Sequence, residues 1–132
     1  MNQNTHPLSH ISCSVLHLPS PPEPCKTSEW YTTLIAGVPF LLRNIMSLQR
    51  SGLHDLIVYI DKSQEEIEKL VFTIKEDARI IVNIHWVSNS GQLKEALKSR
   101  QGQTLLFNGS ALHEKKEVRS LLKTFIQQEA TT

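Results

Sequence analysis

Apolar positions along the chain recur at two different spacings, and their alternation predicts strands separated by helices. Runs of β-prone and apolar residues occupy His10–Leu18, Leu56–Ile60, Arg79–Val87 and Thr104–Phe107, and each run has the composition of a strand. Between these runs, apolar residues return every three or four positions, which is the spacing of one helix face. The predicted order is therefore strand, loop, helix, strand, helix, strand, helix, strand, helix.

The segment Gly37–Asp61 shows this alternation most clearly. Pro39 suits the first turn of a helix, because its missing N–H would have no partner there. Gly52 supplies the left-handed residue that ends such a helix. The run Leu56–Ile60 that follows is uninterrupted and apolar, which is typical of a strand that is covered on both faces of a sheet.

A second helix is predicted from Ser63, which forms a capping box with Glu66 three residues later. Its inner face carries Ile67, Leu70, Val71 and Ile74. The run Arg79–Val87 is almost continuously apolar, so it predicts a strand at the centre of the sheet or one position from an edge.

Two shorter patterns complete the series. Leu93, Ala96 and Leu97 predict a short helix that ends at Gly102. The apolar positions of Val118–Ile126 predict a last amphipathic helix.

Strands that alternate with helices over short connections indicate right-handed crossovers and a parallel sheet. We therefore predict a three-layer α/β/α fold, with a mainly parallel, Rossmann-like sheet of about four strands and helices on both faces. Residues 10–127 are expected to form this single domain, with flexible ends at 1–9 and 128–132.

Composition and charge narrow the function classes. The chain has 132 residues, with 14 basic and 13 acidic side chains and a net charge of +1, so no overall field favours nucleic acid or an anionic membrane. No apolar run approaches the roughly 20 residues of a membrane span, and a cytoplasmic protein is expected. Cys13 and Cys25 lack the spacing of a metal or redox motif. We expect Cys13 to be a small strand residue and Cys25 to be a thiol in a loop.

The segment Pro19–Thr33 contains four of the six prolines and one basic residue, Lys26. These residues predict a stiff, irregular loop rather than a helix or strand. Its length favours a mobile or binding loop. Trp30 and Tyr31 either anchor this loop to the body of the domain or offer a surface on which a base stacks.

A specific resemblance extends along the central part of the chain. The stretches Ala36–Leu42, Ser47–Leu53 and Leu56–Tyr59 resemble the Gly-x-Pro, helix and strand segment of the nucleotidyltransferase superfamily, which makes sugar-nucleotides and CDP-alcohols. The resemblance continues more loosely through Ser90–Leu97 and Leu105–Ser110, and it covers about Ile11 to Leu122.

The resemblance implies a triphosphate loop with glycines and an arginine, but Ser20–Thr33 contains neither residue. The family's lysine shortly before the Gly-x-Pro segment would fall near Trp30–Thr33, where there is none, and the basic position inside the segment is Val38. The family's metal-binding Asp falls on Ser110, a far poorer ligand for Mg²⁺. Because these groups neutralise charge in the transition state, we expect a truncated and catalytically degenerate domain, which ends where the family's acceptor-binding half begins.

Ligands of such sheets bind beyond the carboxyl ends of the strands, where strand order reverses. The expected ligand is a weakly bound nucleotide or sugar phosphate. The residues expected to contact it are Lys26, Trp30, Gly37, Asp61, His85, Ser90, Gly91, Asn108, Gly109 and Ser110. No catalytic residue and no metal ligand is assigned.

Two alternatives stay open. One is a non-catalytic interaction module, with an uncovered sheet edge that a homodimer would cover or the proline-rich loop and its aromatic residues as the contact. The other is an active, Mg²⁺-dependent nucleotidyltransferase whose metal ligands are Asp61, Glu114 or groups of a second chain. Other replacement groups would be Lys26, His85, Arg43 and His113. An ordinary structural role explains Arg43, Asp61 and His85 more simply.

Overall fold

Four strands form one parallel sheet in the computed structural model, which describes residues 11–100, 103–113, 117, 118 and 120. The strands are β1 (Ile11–His17), β4 (Asp55–Tyr59), β5 (Asn83–Val87) and β6 (Gln103–Asn108), and β2 (Leu34–Ile35) and β3 (Val38–Pro39) form a separate hairpin. The helices are α1 (Thr27–Tyr31), α2 (Phe40–Arg50), α3 (Gln64–Lys75) and α4 (Ser90–Lys98). The predicted flexible ends lie outside the described residues.

The sheet has the strand order β5-β4-β1-β6, and every neighbouring pair is parallel. Helices α2 and α3 contribute to the larger apolar core on one face. Helix α4 contributes Ala96, Leu93 and Leu97 to a smaller core on the other face. The prediction of a three-layer α/β/α fold with a mainly parallel sheet is confirmed.

The strands β1 and β4 are the two inner strands, and their side chains are buried from both sides. Leu56, Ile57 and Val58 of β4 are all 1% exposed or less. The prediction that this run is covered on both faces is therefore confirmed, and the reason is that α2 and α3 lie on one side of it and α4 on the other.

Helix α2 ends as its sequence predicts. Gly52 has a φ of 98°, and its N–H donates to the Gln49 carbonyl at 3.0 Å, while the Leu53 N–H donates to the Leu48 carbonyl at 3.1 Å. These two bonds form a Schellman motif, which satisfies carbonyls that the helix leaves free. The helix begins one residue later than predicted, with Pro39 as its N-cap residue.

The predicted strand Arg79–Val87 is wrong in length and position: only Asn83–Val87 is a strand, and it lies at an edge of the sheet. The side-chain oxygen of Gln49 on α2 accepts from the Ile81 N–H at 2.8 Å and the Val82 N–H at 3.1 Å. A side chain from a neighbouring helix therefore takes the donors that a longer strand would have used.

Just before this segment, Arg79 Nη2 lies 2.6 Å from a carboxylate oxygen of Asp77. Hydrogen bonds from the Arg79 side chain and backbone lower the pKa of Asp77 to about 2. The chain thus turns at Asp77–Arg79 before it enters β5.

The predicted irregular loop Pro19–Thr33 is wrong at its end, because Thr27–Tyr31 forms the short helix α1. All four prolines of this loop precede Cys25, so nothing in the later residues prevents a helical turn. The hairpin of β2 and β3 was not predicted. Its two turn residues, Ala36 and Gly37, have φ values of 53° and 81°, as a type I′ turn requires.

The remaining predicted helices agree with the structure as far as it describes them. The short helix around Leu93 is confirmed, although it ends at Lys98 and the predicted stop at Gly102 lies outside the described residues. Most of the predicted last helix, Val118–Ile126, also lies outside them; Val118 itself is helical and buried in the larger core.

Candidate functional site

The carboxyl ends of the strands are held level with one another by backbone hydrogen bonds. The Leu18 N–H, one residue past β1, donates to the Tyr59 carbonyl of β4 at 2.8 Å. On the other side of β1, the Gly109 N–H donates to the His17 carbonyl at 2.6 Å. The connections that follow β1, β4 and β6 therefore leave the sheet along one edge, where ligands of parallel sheets bind.

A cleft of about 490 Å³ opens between the connection after β1 and the connection after β4; we call it the β1/β4 cleft. This volume lies within the range of small-molecule sites. The residues that line it are Ser20, Pro21, Glu23, Cys25, Lys26, Thr27, Lys62 and Glu66.

The charges of the β1/β4 cleft balance. Lys26 and Lys62 contribute two positive charges, and Glu23 and Glu66 contribute two negative charges, so their sum is zero. The two lysines lie on different connections, and this places cations on both sides of the opening. An anionic group can therefore meet two ammonium groups, but no excess positive charge attracts it from a distance.

Glu66 connects α3 to the start of α1. One carboxylate oxygen accepts from the Ser28 N–H at 3.1 Å, and the other from Lys69 Nζ at 3.3 Å. Partial burial raises the pKa of Glu66, but the Ser28 N–H and the Lys69 ammonium outweigh burial, and the pKa falls below its ordinary value. A protein carboxylate thus occupies the position at the start of α1 where an anionic ligand would otherwise meet backbone N–H groups.

The capping box predicted for α3 is therefore only half formed. Ser63 Oγ accepts from the Glu66 N–H at 3.4 Å, as predicted. The Glu66 side chain does not complete the box, because it binds Ser28 instead.

The two aromatic residues of α1 fix the cleft wall to the body of the domain. Tyr31 is fully buried, stacks on Phe40 with ring centroids 5.9 Å apart, and donates its hydroxyl to the Pro19 carbonyl at 2.5 Å. Burial raises the pKa of the Tyr31 phenol. Trp30 is half-buried against the larger core, and its indole Nε1 is buried without a hydrogen-bond partner among the described residues. The packing of both rings agrees with the anchoring role that the sequence left open.

The turn after β6 uses its polar groups internally. Asn108 Oδ1 accepts from the Ser110 N–H at 3.0 Å and from the Ser110 hydroxyl at 3.1 Å. Gly109 has no room for a side chain, because a Cβ atom there would lie 2.3 Å from Leu18 Cδ2 and 2.8 Å from the His17 carbonyl oxygen. These three predicted ligand-binding residues, Asn108, Gly109 and Ser110, lie at the expected edge and shape the end of the strand.

Asn44, which the sequence did not single out, holds the rest of this turn. It is completely buried on α2. Its amide nitrogen donates to the Ala111 carbonyl at 2.9 Å and to the Gly109 carbonyl at 3.3 Å, and its amide oxygen accepts from the His113 N–H at 2.8 Å. The sequence signal that could have identified Asn44 is its position as an isolated polar residue on the apolar face of α2.

The other predicted residues are dispersed. Gly37 lies at the exposed tip of the hairpin, and Asp61 is exposed just beyond β4. His85 of β5 and Gly91 in the first turn of α4 line a different cavity of about 630 Å³, and Ser90 lies exposed beside them. Lys26 is thus the one member of the predicted set that lines the β1/β4 cleft.

Asp61 was selected from the sequence but its neighbour Lys62 was not, and Glu23 and Glu66 were also missed as lining residues. A charged residue in a loop gives no local sign of the partner that folding brings to it. For Glu66, the local sequence indicated only a role in its own helix, because its spacing from Ser63 suits a capping box.

Further chemical features are limited. Among residues 11–100, 103–113, 117, 118 and 120, no three His, Cys, Asp or Glu side chains lie close enough together to hold a metal ion. In that same part of the chain, no helix has the length and apolar character needed to cross a membrane. Cys13 is buried on β1, Cys25 is exposed in the cleft wall, and both are free thiols, as the sequence predicted.

The described features define a three-layer α/β protein with a parallel sheet and a charge-balanced cleft at its carboxyl edge. Among solved structures, it is similar to the crystal structure of HddC from Yersinia pseudotuberculosis, with a TM-score of 0.59 and 17% sequence identity. The match covers 85% of this chain and 53% of HddC, so the chain spans about half the length of that protein. At this identity the similarity shows the fold. No protein-family model and no curated protein matches the sequence.

Proposed function

We propose that the chain is a catalytically degenerate, nucleotidyltransferase-like domain that weakly binds a nucleotide or sugar phosphate in the β1/β4 cleft. The observation that supports this most is the placement of Lys26 and Lys62 on two sides of one cleft at the carboxyl edge. Ammonium groups contributed by two connections suit a phosphate group that bridges them. The resemblance of Ala36–Tyr59 to nucleotidyltransferases suggests a nucleotide or a sugar phosphate as the bearer of that phosphate.

Weak binding without turnover is proposed because of two local features. Glu23 and Glu66 place two carboxylates in the lining of the cleft beside the two lysines, which lowers the attraction for a polyanion. Ser110 stands at the family's metal-binding position and donates its hydroxyl to Asn108. Nucleotidyl transfer depends on metal ions and cations that neutralise developing charge, so the proposed domain binds its ligand and does not convert it.

Thermal unfolding tests this proposal. The midpoint is measured with and without millimolar CTP, UTP, GTP, ATP or a sugar 1-phosphate, each with and without Mg²⁺, since a ligand that binds the native state raises it. We expect a small rise with at least one ligand and no release of pyrophosphate. No rise with any of them would rule out the binding proposal, and Mg²⁺-dependent pyrophosphate release would support the active-enzyme alternative.

Substitutions of charged residues in the lining test whether the ligand binds in the β1/β4 cleft. We expect Lys26→Ala and Lys62→Ala each to raise the dissociation constant about two- to fivefold, as loss of one exposed charge pair does. Glu23→Gln should lower it by a similar factor, because this change removes a repulsive charge from the same cleft. Lys94→Ala, an exposed lysine on α4 that does not line the cleft, is the control and should leave binding unchanged.

A protein-interaction module is the second candidate function, and a different observation favours it. Phe72 and Ile81 are 66% and 75% exposed, and they lie on the helix and the connection that precede the edge strand β5. Large apolar side chains next to an open strand edge are typical of contact surfaces.

A further inference from the structure

The strand β5 has one open side. It is the terminal strand in the order β5-β4-β1-β6. The Asn83 N–H and the Val87 carbonyl are bonded to the β4 segment, at 2.9 and 3.0 Å. Because successive residues of a strand direct their N–H and C=O groups to opposite sides, Ile84 and Trp86 direct theirs to the open side. This edge can therefore accept a further strand.

Apolar surface accompanies that edge on the α3 side. A groove of about 290 Å³ runs between α3 and β5. Its apolar lining consists of Val71, Ile74, Ile80, Val82, Ile84 and Trp86. Natural edge strands are commonly protected by lysine or proline, and β5 (Asn83–Val87) contains neither.

The charges on α3 are arranged so that the helix is complementary to a second copy of itself. Glu68 and Lys75 are seven residues apart, about two helical turns, and lie on either side of Val71 and Phe72 along the helix. Neither forms an ion pair with any residue that the structure describes. When two such helices run antiparallel across a twofold axis, each Glu68 faces the other copy's Lys75.

We propose that the open edge of β5 and the adjacent face of α3 form the interface of a homodimer. The two β5 strands pair antiparallel through the outward backbone groups of Ile84 and Trp86, which joins two four-stranded sheets into one. The α3 helices pack antiparallel beside them, with Phe72 near the twofold axis. A second copy is the occupant that fits, because opposite charges spaced symmetrically about an apolar centre on one helix complement that same helix.

This proposal deepens the second candidate function and is independent of ligand binding in the β1/β4 cleft. Its test therefore uses the protein without nucleotide. Loss of the dimer and loss of ligand binding are measured separately, so that either proposal can fail alone.

Sedimentation equilibrium of the full chain from micromolar to millimolar concentration gives the dimer dissociation constant. We expect Phe72→Glu to raise it by about tenfold to a hundredfold, as the burial of one large apolar side chain implies. Leu34→Glu is the matched control, because Leu34 is 65% exposed, compared with 66% for Phe72, but lies on the separate hairpin. The control should leave the dissociation constant unchanged.

Charge exchange tests the twofold arrangement itself. Glu68→Lys and Lys75→Glu each place like charges opposite one another, and each should weaken the dimer about fivefold. The double variant restores opposite charges across the axis and should return the constant to within about twofold of the original. Glu29→Lys, an exposed change on α1, controls for net charge.

A monomer at every concentration would overturn the dimer. A dimer that is insensitive to Phe72→Glu, or that the double charge exchange fails to restore, would assign the contact to another surface and leave the interaction function standing. Thermal midpoints of the variants, measured at a concentration where all are monomeric, verify folding.

Discussion

Two places along the carboxyl edge, the turn after β6 and the β1/β4 cleft between the inner strands, differ in what their polar groups do. At the turn after β6, the side chains of Asn108 and Ser110 bind each other, and Asn44 binds the backbone around them. At the β1/β4 cleft, Lys26 and Lys62 line an open volume of about 490 Å³. A polar residue at the expected edge is therefore not by itself a ligand-binding residue, because its hydrogen bonds can already be used by the fold.

This difference predicts a gradient of stability effects. Residues whose groups are used by the fold should be costly to replace. Residues that face the open cleft should be replaceable with little loss of stability, because water already solvates them. Five substitutions test this contrast, two at the turn after β6 and three at the β1/β4 cleft.

Gly109→Ala should have the largest effect. The added Cβ would lie 2.3 Å from Leu18 Cδ2 and 2.8 Å from the backbone oxygen of His17, and backbone cannot move aside cheaply. We expect a loss of about 3 kcal/mol in the free energy of unfolding, at the upper end of overpacking effects, measured by urea denaturation. Gly91→Ala, in the exposed first turn of α4, is the control and should change stability by less than about 1 kcal/mol. Equal effects at both glycines would contradict the close packing of this turn.

Asn44→Ala should be the next most damaging. It removes an amide that binds the Gly109 and Ala111 carbonyls and the His113 N–H from a completely buried position. Three backbone groups lose their partner, and we expect a loss of about 2 kcal/mol. Hydrogen exchange should show faster exchange at the His113 amide in particular. Ser47→Ala on the same helix is the comparison, and a similar loss there would mean that the helix, not the turn, is destabilised.

The regular part of the fold could be predicted because periodicity reports burial. Leu56–Ile60 is apolar since helices cover both faces of β4, and Gly52 ends α2 since a left-handed residue is required there. The errors have tertiary causes. Gln49 on α2 takes the N–H groups of Ile81 and Val82, and no local pattern near residue 80 records a side chain that lies about thirty residues earlier.

The candidate site was less predictable than the fold. Lys26 stood out as the one base in a proline-rich segment, and it does line the cleft. The partnership of Glu66 with Ser28 spans 38 residues, so the helix pattern around Glu66 suggested a local cap instead. Which charges share a cleft depends on how connections from different strands meet, and spacing along the chain does not contain that information.

Glu66→Gln tests the structural side of the cleft and should have a smaller, pH-dependent effect. The pKa of Glu66 is lowered in the folded protein from an ordinary value of 4.5, so its stabilising contribution is complete above that value and disappears as pH falls through the folded pKa. We expect the variant to be about 0.5–1 kcal/mol less stable at pH 7, and the difference should decrease as the pH falls below the ordinary pKa of a glutamate. Urea denaturation of both proteins from pH 3 to pH 7 measures this difference in stability. The Asp77–Arg79 pair is present in both proteins, so its own pH dependence cancels in the comparison. A difference that persists at low pH would show that the charge of Glu66 does not hold α1.

Lys26→Ala and Lys62→Ala should have the smallest effect on stability and so mark the opposite limit from Gly109→Ala. Neither ammonium group has an ion-pair partner among the described residues, so the substitution breaks no ion pair in that part of the chain. We expect a change of less than about 0.5 kcal/mol for each, as for most surface substitutions, measured by the same urea titration. If replacing either lysine cost as much stability as Asn44→Ala, that lysine would have a structural role, like the residues of the β6 turn. The cleft would then lack the free cations on which phosphate binding depends.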